Sequence, residues 1–231
     1  MDKNNLPRHT AIIMDGNGRW AEKNNLSRIK GHEEGMWVMK KIVRHSANIG
    51  IKHLTVYAFS TENWKRTKKE VGGLMKILIF FVDNEFKEIH ENNVKIRLLG
   101  EISAFDKKVL SRLHKTVELT KNNTGLNFNI ALNYGSRDEM IRAVKKIYDT
   151  DIKSEEITEK LFAANLWTKE IPDPDLIIRT SGEKRLSNFL LWQAAYSEFV
   201  FTDTLWPDFN ESEYEKCILE YQKRKRRFGG R

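Results

Sequence analysis

The feature that most constrains this chain's fold is a repeated unit. A short apolar run of strand length stops at a polar cluster and gives way to a segment with helical periodicity. His9 to Met14 runs into Asp15-Gly16-Asn17-Gly18, Leu54 to Phe59 into Ser60-Thr61-Glu62-Asn63, and Leu176 to Ile178 into Arg179-Thr180-Ser181-Gly182. Further strands are expected over Val94 to Leu99, Leu126 to Leu132 and Phe199 to Phe201. Between the strands, apolar residues recur three and four apart, as in Met36, Met39, Val43 and Ala47. That spacing predicts helices over Glu33 to Ala47, Glu70 to His90, Phe105 to Lys121, Asp138 to Tyr148, Ser154 to Asn165 and Glu211 to Arg226. Strands alternating with helices build a parallel sheet covered on both faces. The expectation is an α/β fold: one domain over residues 1–231, with a central, mostly parallel six-stranded sheet flanked by helices. Ligands of such sheets bind beyond the carboxyl ends of the strands. The three clusters, far apart in sequence, should then share one edge.

Composition supports one folded unit. Apolar residues make up 40% of the 231, enough for a real core, and no linker or internal repeat divides the chain. The single cysteine, Cys217, leaves no internal disulfide or cysteine-based zinc site and is expected to be buried. Met1 to His9 lacks the apolar stretch of a signal peptide, and no run approaches the roughly 20 apolar residues that span a bilayer. A soluble cytoplasmic protein is the expectation. The net charge of +8 calls for an acidic partner: nucleic acid, anionic lipid or a polyphosphate substrate.

The placement of the arginines narrows that choice. In Asp15-Gly16-Asn17-Gly18-Arg19-Trp20 two glycines allow close backbone approach to an anion, Arg19 adds charge, and Asp15 at a strand end is placed to hold Mg²⁺. The same residues also suit a plain strand-to-helix turn, and no Gly-Lys-Ser/Thr follows to make a Walker loop. Arg28 and His32 lie where a helix opens and amide groups favour phosphate, although from the residues alone a solvated cap is the favoured reading. Ser60 to Arg66 packs hydroxyls, a carboxylate, an amide, an indole and a guanidinium directly behind a strand; a capping box of Ser60 with Asn63 is an imperfect fit. Arg179 to Asn188 brackets a glycine with two arginines and several hydroxyls, which suits a diphosphate cradle.

Long blocks then carry a resemblance. HTAIIMDGNGRWA, YAFSTENWKR, IALNYGSRDE, DLIIRTSGEKRLSNFLLWQAAYSEFVFTDTLWPDF and the terminal RRFGG resemble, in order and over nearly the whole chain, the cis-prenyltransferases of the undecaprenyl diphosphate synthase family. The resemblance implies Mg²⁺-dependent condensation of isopentenyl diphosphate with an allylic diphosphate, farnesyl diphosphate being the expected primer. The expected product is a long polyprenyl diphosphate, undecaprenyl diphosphate for the cell-wall lipid carrier. It implies Asp15 as the key acidic residue and metal ligand, with Glu198 as second metal ligand. Gly16, Asn17, Gly18, Arg19 and Trp20, with Arg28 and His32, take the allylic diphosphate. Ser60, Thr61 and Glu62 line the site, and Trp64 and Arg66 belong to a substrate-contacting loop. Arg179, Arg185, Leu186 and Ser187 take isopentenyl diphosphate. Asn63, often assigned as proton acceptor, is a very weak base; an orienting role suits it better, with the departing diphosphate or a water as base.

A growing lipid needs a dry channel. Phe80, Phe81 and Phe86 with Ala58, Val94 and Leu126 are candidates, although ordinary core explains them from the residues alone. The resemblance also implies a homodimer in which tail residues 223–231, through Arg227 and Gly229, reach across the interface, and peripheral membrane contact through the lipid product. Three departures from the family pattern bear on loop mobility: Thr67 stands where proline is usual, Ser136 where a second glycine is usual, and Met36 and Trp37 are bulky for their place. A non-catalytic relative would lack Asp15, Arg28, Arg179, Arg185 and Glu198, all present here. A nucleic-acid module would spread its arginines in a stripe with exposed aromatics, so no nucleic-acid partner is expected. Asp15→Ala is expected to leave the fold intact, since a strand-end carboxylate contributes little to a core.

Overall fold

A computed structural model describes residues 1–225, the side chain of Phe86 excepted. Six strands form one sheet: β1 (His9–Ile13), β2 (His53–Ser60), β3 (Lys95–Leu99), β4 (Asn127–Tyr134), β5 (Leu176–Arg179) and β6 (Glu198–Phe201). Their order is β3-β4-β2-β1-β5-β6 and every pairing is parallel. The mostly parallel expectation thus becomes wholly parallel. β1 and β5 are buried along their whole length, which is why they read as unbroken apolar runs rather than alternating ones.

The α-helices are α1 (Asn17–Lys23), α2 (Arg28–Ile49), α3 (Lys68–Asn84), α4 (Phe86–Glu91), α5 (Lys107–Thr120), α6 (Ser136–Tyr148), α7 (Glu159–Ala164) and α8 (Glu211–Gln222). The single helix expected over Glu70 to His90 breaks at Glu85, which caps the end of α3 and opens α4. The helix expected from Ser154 resolves into a 3₁₀ turn and the short α7, and α1 lay unrecognised inside the first polar cluster. α8 ends at Gln222, four residues before the expected Arg226.

The larger core lies between one sheet face and α2, α3, α5 and α8, and includes Ile12, Met39, Ile42, Phe128 and Ile218. A smaller one on the other face gathers Ala11, Ile177, Tyr134 and Phe189. Cys217 is buried as expected, and burial pushes its thiol pKa up to about 12. No helix among the described residues is long and apolar enough to cross a membrane.

Candidate active site

Parallel pairing brings the ends of β1, β2 and β5 to one edge of the sheet, and the three polar clusters come with them. β1 ends at Ile13, opposite Arg179 of β5. The chain then turns through Gly16 at φ 111°, a left-handed conformation in which a Cβ would press on Leu205 and Ser181 at 3.0–3.1 Å. α1 follows at once and packs on α2 without spare room. A Cβ at Gly31 would stand 2.1 Å from the Asn17 carbonyl oxygen, and one at Gly35 would stand 2.2 Å from Asn17 Oδ1. Trp206 ties the same turn to α2: its backbone N–H donates to Asp15 O (3.0 Å) and its indole N–H to Gly35 O (2.7 Å).

Arg179 is the pivot. Its side chain is 5% exposed; Nη2 donates to Asp15 Oδ2 at 2.9 Å, and Nη1 donates to Ser187 Oγ at 2.8 Å and to the Arg185 carbonyl. Its Nε is buried with no hydrogen-bond partner among the described residues. Arg19 lies on the other side of Asp15 at 3.6 Å and donates to Ser181 O at 3.0 Å and Ser181 Oγ at 2.5 Å. Burial alone would raise the Asp15 pKa, but Arg179, Arg19 and Ser181 together reverse this and hold it below the ordinary value.

A cavity of about 740 Å³ opens between this edge, α2 and α3. Its mouth is polar: Asp15, Gly16, Asn17, Gly18, Arg28, His32, Ser60, Glu62, Asn63, Arg66, Arg179 and Ser187 all line it. Its far end is apolar, built from Met36, Met39, Leu74, Ile77, Leu78, Ile130 and Leu132. Asp15, Arg28 and Arg179 therefore face one space. Arg66 reaches the mouth paired with Glu70 at 2.9 Å, one helical turn on, and His32 lies 3.9 Å from the same carboxylate. Burial, Arg66 and Arg28 outweigh Glu70 and lower the His32 pKa to about 4, so its ring is neutral at pH 7. The capping box of Ser60 and Asn63 does form: Ser60 N–H donates to Asn63 Oδ1 at 3.1 Å. That gives the Asn63 oxygen an orienting bond, and an amide is in any case a very weak base.

Other expected residues lie off the cavity wall. Trp20 donates to Asp208 at 2.7 Å, and Trp64 donates to Asn133 at 2.8 Å with its ring against Phe59 and Phe105. Thr61 sits beside Glu62, and Leu186 packs on the smaller core. Arg185 is exposed and paired with Glu183. Glu198 is farther still. It pairs in register with Leu176, level with Thr10, and so stands at the amino edge of the sheet, about 10 Å along the strands from Arg179. There it is bound to Arg224 at 2.8 Å. One chain does not bring Glu198 to Asp15, because a residue that opens a parallel strand cannot share an edge with one that follows a strand. Arg227 and Gly229 lie outside the described residues.

The channel expectation shifts by residue. Ala58 lines the cavity, but Phe81 is packed in the core, Phe80 is exposed, and Val94 and Leu126 are core; the Phe86 side chain is outside the described residues. The wall comes instead from the aliphatic face of α3. Glu70 and Asn188 also face the cavity and were not singled out. Glu70 was readable as the i+4 partner of Arg66, whereas Asn188, which donates to Glu62 at 3.0 Å, had no such signal.

Mg²⁺ takes oxygen ligands and commonly uses one or two carboxylates together with substrate phosphates. Asp15, ionised at the mouth, fits that use. No group of three or more His, Cys, Asp or Glu gathers among the described residues, so the protein offers one carboxylate rather than a full cage.

A mouth of guanidinium, amide and hydroxyl groups continuous with an aliphatic interior suits an amphiphile with an anionic head and a hydrocarbon tail. Residues 13–229 match the family model described as "Putative undecaprenyl diphosphate synthase". The chain is 51% identical to an isoprenyl transferase of Clostridium tetani, over 100% of this chain and 92% of that protein. It is 47% identical to the ditrans,polycis-undecaprenyl-diphosphate synthase ((2E,6E)-farnesyl-diphosphate specific) of Pasteurella multocida, over 100% and 98%. Among solved structures it resembles lavandulyl diphosphate synthase from Lavandula x intermedia in complex with dimethylallyl diphosphate (TM-score 0.95, 34% identity, 98% and 99% covered). It also resembles a probable undecaprenyl diphosphate synthase from Campylobacter jejuni (TM-score 0.82, 35% identity, 97% and 99% covered). The chain belongs to the undecaprenyl diphosphate synthase family of prenyl-transferring enzymes.

Proposed function

We propose that this chain condenses isopentenyl diphosphate with an allylic diphosphate, farnesyl diphosphate as primer, and repeats the step to make undecaprenyl diphosphate for the cell-wall lipid carrier. One observation carries the reading: the polar mouth and the aliphatic end belong to a single cavity, so a diphosphate held at Arg28 and Gly16–Gly18 has a dry space for its tail. In each step the allylic C–O bond breaks and its electron pair leaves on the diphosphate. The double bond of isopentenyl diphosphate forms the new C–C bond, and a proton is then lost from carbon. Arg28, Arg19 and the amides of the Gly16 turn stabilise the leaving charge, while Arg179 and Ser187 position the second diphosphate. Asn63 orients the loop and, with its oxygen engaged, leaves the proton to the departing diphosphate. Asp15 would hold Mg²⁺, which would supply positive charge to the diphosphates. A homodimer is supported by apolar side chains left exposed on edge strand β6 (Phe201) and along α6 (Ile141, Val144, Tyr148).

The test is incubation with radiolabelled isopentenyl diphosphate, farnesyl diphosphate and Mg²⁺, followed by butanol extraction. Extractable label that disappears with EDTA is the expected result. No extractable label under either condition would sink the reading, and chromatography of the product fixes its length.

A further inference from the structure

α2 runs parallel to α3 and on past the start of α4. On α3, Gly73 sits against Ile29 and Phe81 against Trp37; beyond its end, Glu85 sits against Lys40 and Glu88 of α4 against Arg44. Their inner faces supply Met36, Met39, Leu74, Ile77 and Leu78 to the apolar end of the cavity. Their outer faces carry exposed aromatic side chains. Trp37 is 38% exposed and Phe80 49%, and the two are joined through Phe81, with ring centroids at 4.9 and 5.8 Å.

Lysines flank them. Lys41 follows Trp37 by one turn on α2 and Lys76 precedes Phe80 by one turn on α3; both are exposed and neither is in an ion pair among the described residues. Of the nearby acids, Glu33 is held by Lys30, Asp83 by Arg112, and Glu85 and Glu88 by Lys40 and Arg44. Among the described residues Glu34, which lies within reach of the Lys30 charge, is in no ion pair, and Lys41 and Lys76 outnumber it. Aromatic side chains flanked by free lysines match a surface that inserts shallowly among anionic headgroups. The bulk of Trp37, out of place for a residue beside a phosphate site, is accounted for if it faces outward to lipid.

We propose that the outer face of α2 and α3, centred on Trp37 and Phe80 with Lys41 and Lys76, docks the protein on an anionic lipid surface directly behind the apolar end of its cavity. The functional consequence rests on the elongation reading: a hydrocarbon product is then made one helix layer away from the phase that dissolves it. The docking itself does not rest on that reading.

The test uses the full chain without substrates, sedimented with phosphatidylglycerol vesicles and with phosphatidylcholine vesicles. The wild type is expected to partition onto the anionic vesicles only. Lys41→Gln/Lys76→Gln should weaken partitioning about 25-fold, at roughly five-fold per lysine near an anionic surface, and Phe80→Ser should weaken it further. Ile157→Ser, an exposed apolar side chain outside α2, α3 and the α6 face, should leave it unchanged. Trp37→Phe, which retains the ring packing, should remove the emission quenched by brominated lipid. The proposal is overturned if wild type stays in the supernatant, or if Phe80→Ser and the lysine pair sediment like wild type. It is equally overturned if Phe80→Ser halves the mass in sedimentation equilibrium, which would make this face a contact with a second copy. Elongation assayed in detergent stays normal in these variants, so failure of docking is distinguishable from failure of the catalytic reading.

Discussion

Arg179 has three claims on its buried guanidinium: Asp15, Ser187 and the Arg185 carbonyl. Asp15 is therefore a counterion to Arg179, so its removal, expected to leave the fold intact, should still cost stability. Breaking a fully buried pair costs about 3–5 kcal/mol. With Asp15 about one-third exposed, we expect Asp15→Ala to cost about 1–2 kcal/mol in urea denaturation, with native circular dichroism retained. Turnover should fall by at least about 100-fold, the scale of losing one charge-stabilising group; turnover within a few-fold of wild type would remove Asp15 from the chemistry. Titration adds a second residue-scale prediction. His9, His32 and His53 each have the folded-state pKa lowered to about 4 from 6.5, chiefly by burial. Each binds its proton more readily unfolded, so their contribution is whole above pH 6.5 and is lost as pH falls towards 4. The urea midpoint should drop between pH 7 and pH 5, and His32→Gln should flatten that drop; a midpoint that holds or rises on acidification contradicts it. The mouth residues after β1, β2 and β5 were legible because each cluster follows a strand, whereas Arg28 and His32 open α2 and read more simply as a solvated cap. Within one chain Glu198 stands away from Asp15, and the signal was present: it immediately precedes an expected strand, which in a parallel sheet is the opposite edge.

Helix ends decide how firmly the site is walled. Thr67, which stands where the family has proline, caps α3: its Oγ1 accepts from Glu70 N–H at 3.3 Å. The substitution exchanges a rigid turn for a side-chain cap and keeps φ at −60°, a value proline would also hold. Thr67→Ala should cost about 1 kcal/mol and speed hydrogen exchange in the first turn of α3, leaving α5 unaffected; unchanged exchange would show that the cap is idle. Gly31 is the matching device on α2. Its missing Cβ admits the Asn17 carbonyl oxygen, so Gly31→Ala must push α1 away. Overpacking of this kind costs typically 1–3 kcal/mol, seen as a lowered melting temperature, and the displaced Asn17 turn should raise the KM for the allylic diphosphate more than the KM for isopentenyl diphosphate. A KM ratio equal to wild type would mean that the α1–α2 contact does not set the mouth. Helical periodicity exposed α2, α5 and α6 well. It ran through the break at Glu85 because apolar spacing continues across it, and it missed α1 because seven residues with two polar ends show no period.

At the scale of the molecule, the strand order places β1 between β2 and β5, so the first, second and last polar clusters of the sequence become neighbours. Alternation of strands and helices made a parallel sheet legible, but not its order, which depends on which crossovers bury the most apolar surface. The cavity was less legible again. Its wall is formed by aliphatic residues of α3 that look like any core-facing stripe, and only the tertiary gap between α2, α3 and the sheet distinguishes them. The whole account depends on that gap holding the tail of a ligand whose head sits at Asp15, Arg28 and Arg179. Calorimetric titration of farnesyl diphosphate and of inorganic diphosphate into wild type and Leu78→Trp tests this most directly. The account predicts that inorganic diphosphate competes with farnesyl diphosphate in wild type, and that Leu78→Trp weakens farnesyl diphosphate at least about ten-fold while leaving inorganic diphosphate unchanged. Equal affinity of Leu78→Trp and wild type for farnesyl diphosphate, or no competition between the two ligands, would contradict it.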